Sequence, residues 1–74
     1  MSSSTTQTIE IVVNGLPRGV PGGLNLREVL AALDVAPDRV AVEMNRLIVR
    51  KPAWSATVVT AGAVLEIVQF VGGG

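Results

Sequence analysis

The stretch Asn25-Leu26-Arg27-Glu28-Val29-Leu30-Ala31-Ala32-Leu33 decides how this chain folds, because only here do apolar residues recur with a helical period. Leu26, Val29, Leu30 and Leu33 stand at i, i+3, i+4 and i+7, which places them on one stripe. The side-chain oxygen of Asn25 can accept an N–H of the first turn, and Glu28, three residues on, can return the bond as a capping box. Asp34 to Asp38, with Pro37 inside it, stops the pattern. A helix with one apolar stripe cannot bury it alone and must lie on a sheet.

The flanking sequence supplies that sheet. On the N-terminal side, Ile9-Glu10-Ile11-Val12-Val13 is β-branched and partly alternating, the pattern of a strand. Asn14-Gly15 follows, two residues that accept the positive φ angles of a type I′ hairpin turn. Leu16 to Val20 is the return strand; Pro17 restricts it to an edge of the sheet, and Pro21-Gly22-Gly23 ends it. On the C-terminal side, Val40 to Met44 predicts a third strand, Asn45-Arg46 a tight turn and Leu47 to Val49 a short fourth strand. Pro52 to Thr57 predicts one helical turn whose Trp54 covers an end of the core, and Val58-Val59 a brief strand. Thr60 to Ala63 turns the chain into a last strand, Val64 to Val71. The order ββαβ(β)β predicts an α+β chain of the β-grasp (ubiquitin-like) kind, a mixed four- to five-stranded sheet with one helix packed across it. Residues 8–71 form that domain, preceded by a disordered polar leader over 1–7 and followed by a flexible glycine tail over 72–74.

Composition narrows the chemistry. The chain has 74 residues, no net charge and no Cys, His or Tyr. One small domain fits this length, and it buries only about 60% of its unfolded surface. A hydrophobic content of 49% is enough for one core. Without cysteine there are no disulfides, thiolate nucleophiles or Cys-based zinc sites, and without histidine there is no proton shuttle near neutral pH. The balanced charge gives no electrostatic case for nucleic acid. The polar Ser/Thr-rich start has no basic or apolar region of a signal peptide. Apolar runs of about five residues fall far short of the roughly 20 that span a bilayer, so a cytoplasmic protein is expected. Glu10, Glu28, Asp34, Asp38, Glu43 and Glu66 are scattered without partners for metal or acid–base work. Gly22-Gly23 matches neither the P-loop nor the dinucleotide pattern. The residues predict no catalytic or metal centre and no bound cofactor.

Gly72-Gly73-Gly74 differs from the other glycines because it follows a strand and leads to no further structure. Glycine lacks the Cβ that would collide with a narrow channel, and three extended residues reach roughly 10 Å. Such a tail can carry a terminal carboxylate into a partner's active site while the domain stays outside. That carboxylate is a poor electrophile until an oxygen becomes a leaving group, as in an acyl-adenylate made from ATP. Phe70, Val71 and Gly72 lie beside it as partner-binding candidates. Val64, Glu66, Val68 and Phe70 share one face of the last strand, and Leu65, Ile67, Gln69 and Val71 the other. Parity leaves open which face is buried, and whether the strand is covered on both. Arg46, Arg50 and Lys51 read as a solvated basic face more than as a docking rim.

The strand ending Val13-Asn14-Gly15, the helix Leu26-Arg27-Glu28-Val29-Leu30, the segment Val40-Ala41-Val42-Glu43-Met44-Asn45 and the ending Leu65-Glu66-Ile67-Val68-Gln69-Phe70-Val71-Gly72-Gly73-Gly74 together resemble the ThiS sulfur carriers of thiamine biosynthesis. The resemblance covers roughly residues 8 to 74 and is most specific at its end. It implies that the chain is a cosubstrate and not an enzyme. A ThiF-type adenylyltransferase would use ATP to adenylate the carboxylate of Gly74. A cysteine desulfurase or other sulfur donor would then provide the sulfur of a thiocarboxylate, which thiazole synthase would consume in building the thiazole ring. Gly73 and Gly74 match the family's essential pair. Ala61-Gly62-Ala63 departs from the family's Asp-Gly-Asp, and the polar start exceeds the usual length. Carriers serving molybdopterin or tRNA thiolation share the same activation chemistry, and a β-grasp interaction module without chemistry stands as the other class.

Overall fold

Two hairpins and a central strand make up the sheet in the computed structural model, which describes residues 7–70. The strands are β1 (Thr8–Val13), β2 (Leu16–Pro21), β3 (Val40–Met44), β4 (Leu47–Val49) and β5 (Val64–Gln69), with α1 (Leu26–Ala32) between β2 and β3. Their spatial order is β2-β1-β5-β3-β4; β1 and β5 run parallel and every other pair antiparallel. This is the β-grasp arrangement. Val71, the tail over 72–74 and residues 1–6 of the expected leader lie outside the described residues. Gln7 is described, and its carbonyl accepts the Gly22 N–H at 2.6 Å.

Local chemistry sets the turns. Asn14 and Gly15 have φ angles of 50° and 83°, so the first hairpin closes through the left-handed pair that Asn-Gly predicts. Asn45 and Arg46, at 53° and 73°, close the second in the same way. Pro17 lies on β2, an edge strand, where the missing N–H breaks no interior ladder.

The helix begins as its sequence predicts. Asn25 Oδ1 accepts the Glu28 N–H at 2.8 Å, and Glu28 Oε1 accepts the Asn25 N–H at 2.9 Å. Its end falls at the first residue of the segment expected to stop it. Asp34 adopts a left-handed φ of 62°, its N–H donates to the Ala31 carbonyl, and the Val35 N–H donates to that of Leu30. These paired bonds satisfy the last free carbonyls and turn the chain before Pro37 is reached. Pro37 instead opens a short 3-10 turn, Pro37–Arg39.

Two other expectations shift. Val58-Val59 does not join the sheet. Val58 bridges Asn25 and the Val59 N–H donates to Leu24, so the segment is tied to the residues at the start of α1. The last strand pairs only as far as Gln69, after which the Phe70 N–H donates to the Arg39 carbonyl at 2.7 Å.

The core lies between α1 and the sheet. Leu26, Val29 and Leu30 are fully buried against Ile11, Val13, Val42 and Leu65. A second 3-10 turn, Lys51–Ala56, brings Trp54 over one end, 1% exposed, where the indole N–H donates to the Val49 carbonyl at 2.8 Å. That bond lets a large ring be buried without stranding its polar atom.

Candidate functional site

β5 occupies the middle of the sheet and leads directly to the glycine tail. Parity is decided by burial: Leu65 is fully buried and Ile67 half-buried toward the helix, while Val64, Glu66 and Val68 face the opposite side and are exposed. The strand is therefore central yet covered on one face only. This settles the alternative left open by its sequence, in which both faces are apolar.

The open face has a definite composition because register fixes its neighbours. Val68 lies opposite Ala41, Glu66 opposite Glu43, and Glu43 opposite Ile48. Ile48 is 73% exposed and Val68 58%. Around them a shallow hollow of about 100 Å³ is lined by Ala41, Glu43, Ile48, Glu66 and Val68. Phe70, one residue past the strand, is also 58% exposed. Apolar side chains of this size left facing water on β5 and β4, on either side of β3, make a surface suited to a partner.

Glu43 and Glu66 directly opposite each other are a less expected feature. Like charges at paired positions work against a sheet. Neither has a cation within salt-bridge distance among the described residues, where the one ion pair is Lys51 with Asp38 at 2.9 Å. Lys51 holds the Asp38 carboxyl below its ordinary value, first through that hydrogen bond and then through its charge. Arg46, Arg50 and Lys51 are all exposed. Glu28 is committed to the helix cap, and no three acidic groups come together as a metal site among the described residues.

Of the tail and its partner-binding candidates, Phe70 is described, exposed one residue past the end of β5. Val71, Gly72, Gly73 and Gly74 lie outside the described residues. The sequence reading gave Asn14 and Asn45 no role beyond their turns, yet both side chains reach β5. Asn14 Oδ1 accepts the Ile67 N–H at 2.7 Å and Asn14 Nδ2 donates to the Ile67 carbonyl at 3.1 Å. Asn45 Oδ1 accepts the Val64 N–H at 2.9 Å. The choice of Asn at the first position of both turns was the available signal.

No helix among the described residues is long and apolar enough to cross a membrane.

Comparison with known proteins gives a consistent picture. The model of the ThiS family matches residues 11–74. The crystal structure of the thiamine biosynthesis protein ThiS from Geobacter metallireducens superposes with a TM-score of 0.75 at 40% identity, covering 89% of this chain and all of that one. Thiazole synthases of Magnetococcus marinus and Paramagnetospirillum magneticum are 36% and 38% identical over 66 residues. That match covers 89% of this chain, which spans about a fifth (20%) of the length of those two relatives.

Proposed function

Since the chain belongs to the ThiS family, we propose that it is a sulfur carrier for the thiazole ring of thiamine, with the carboxylate of Gly74 as the group that is activated. The observation that carries this reading is the extent of the family match, which runs through the open-faced strand β5 to Gly74 itself. A carboxylate oxygen of Gly74 attacks the α-phosphorus of ATP and releases pyrophosphate. A sulfide equivalent then attacks the acyl carbon and expels AMP, leaving a thiocarboxylate. The adenylyltransferase supplies the ATP site, and this chain supplies the acyl group, the mount and the docking face. It binds no cofactor of its own and acts in the cytoplasm.

Thiazole synthase is the proposed acceptor of the sulfur. Support comes from two relatives of that name, each of which contains a stretch similar to this chain within a longer protein. Phe70, Val71 and Gly72 contact the partner where the strand passes into its channel, and Gly73 and Gly74 enter it. A ThiF-type adenylyltransferase and a cysteine desulfurase or other sulfur donor complete the cycle.

Intact-mass measurement tests this. Incubation with ATP, a ThiF-type adenylyltransferase and sulfide should replace one oxygen of Gly74 by sulfur. The product should then release that sulfur to thiazole synthase. Transfer to a molybdopterin synthase or tRNA-thiolation enzyme instead would reassign the pathway, and no mass change with any activating enzyme would sink the carrier reading. Gly73→Val should fold normally and fail at activation, because a β-branched side chain obstructs the extended path through a narrow channel.

A further inference from the structure

We propose that Asn14 is a positioning residue for the reaction at Gly74, its side-chain amide substituting for the strand that β5 lacks beside its tail-proximal half. The proposal rests on the carrier reading and extends it to a residue on a distant hairpin.

Backbone pairing explains why a substitute is needed. β1 pairs with β5 only at Val12 with Val64 and Val13 with Leu65, and then turns away at Asn14. β5 continues to Gln69, and the backbone groups of Ile67 point toward the side β1 has just left. An unpaired N–H and C=O in the middle of a sheet would loosen the strand there. The Asn14 amide supplies both missing partners, accepting from the Ile67 N–H at 2.7 Å and donating to its carbonyl at 3.1 Å. Only a group with one acceptor and one donor in a plane can do this, which selects Asn over Asp. Among the described residues, Ile67 is the last on that edge of β5 to be held.

The second hairpin carries the same device at the other end. Asn45 also begins a left-handed turn, and it holds Val64 on the opposite edge. Its N–H donates to the Val64 carbonyl at 2.7 Å, and its Oδ1 accepts the Val64 N–H at 2.9 Å. The two turns therefore brace one strand, one near the tail and one far from it. Pairing with β3 holds the other edge of β5 as far as Gln69, so loosening the tail-proximal brace frees the edge at Ile67 alone. That edge must be reordered when the tail is threaded, which reduces apparent affinity without altering chemistry once bound.

The experiment compares Asn14→Gly with Asn45→Gly in the full chain. Both keep the left-handed turn, since glycine accepts positive φ. Each removes one side-chain brace. In Asn14→Gly, amide exchange at Ile67 should quicken roughly tenfold and KM for adenylation should rise by a similar factor with kcat unchanged. In Asn45→Gly, exchange should quicken at Val64 and KM should stay at the wild-type value. Asn14→Asp, which keeps the acceptor and replaces the donor by an oxygen, should shift KM in the same direction and serves if the glycine variant does not fold. Unchanged Ile67 exchange in Asn14→Gly overturns the proposal. So does unchanged KM, or an equal rise in both glycine variants. A wild-type chain that no adenylyltransferase activates would overturn the carrier reading and, with it, the role at Gly74. The exchange data would then report the brace alone, so the two failures are distinguishable.

Discussion

The two faces of the sheet are built from alternate residues of the same strands, yet they are put to different uses. On the helix side, Ile11, Val42 and Leu65 are almost completely covered by Leu26, Val29 and Leu30. On the other side, Val68 and Ile48 remain exposed around two opposed glutamates. Burial of a Val or Leu side chain is worth roughly 1.5–3 kcal/mol, so in a domain this small the covered face supplies much of the stability. The open face leaves apolar area in water. One strand, β5, contributes to both, joining the folded core to the exposed apolar surface.

The comparison is broken most severely on the covered face. Leu30→Ala should cost about 2–5 kcal/mol, measured by urea denaturation, because it leaves a cavity between helix and sheet. That loss is large against the total stability of a small domain. A matched pair of substitutions sharpens the contrast. Val42→Thr buries a hydroxyl without a ready partner and should destabilise by about 1–3 kcal/mol. Val68→Thr, the same change on the opposite face, should alter stability by less than about 0.5 kcal/mol while raising KM with the activating enzyme. Equal stability losses for the two would show that the faces are not different in kind.

Smaller effects test the polar parts. Glu66→Gln removes the opposition to Glu43 and should raise the denaturation midpoint slightly, by a few tenths of a kcal/mol in stability at low salt, with the gain shrinking as salt is added. Lys51→Ala should have the smallest effect. Lys51 holds the folded-state pKa of Asp38 below its ordinary 3.8, so any stabilisation is present above that value and is lost as pH falls through the lowered one. In the variant, an NMR titration of the Asp38 carboxyl should show its pKa rising toward 3.8.

Legibility in the sequence follows the range of the interaction. The helix start was readable because Asn25 and Glu28 are three residues apart, and the Asn14-Gly15 turn because its two residues set their own φ. The stop is legible as the segment Asp34 to Asp38, but that Asp34 itself makes it is not, since a non-glycine residue in a left-handed conformation leaves little local trace. The ending of the chain supported the family resemblance, which the match over residues 11–74 bears out. The open face was not legible, because β5 alternates apolar residues on both sides and only its pairing with β3 and the helix decides between them. The bracing by Asn14 joins residues 53 apart in sequence, and the choice of Asn at the first turn position is its one local trace.

The middle position of β5 also bears on how the sheet is made. It is the last of the described strands in sequence, yet it separates the β1–β2 hairpin from the β3–β4 hairpin. Until it arrives, the two hairpins have no strand through which to join, and the apolar residues beneath α1 lack the buried Leu65. Assembly on a ribosome would therefore wait for β5 to emerge, making the non-local β1–β5 pairing later than either hairpin. A product truncated before β5 would lack this keystone, leaving two hairpins with no strand between them and a helix whose apolar stripe has lost part of its cover.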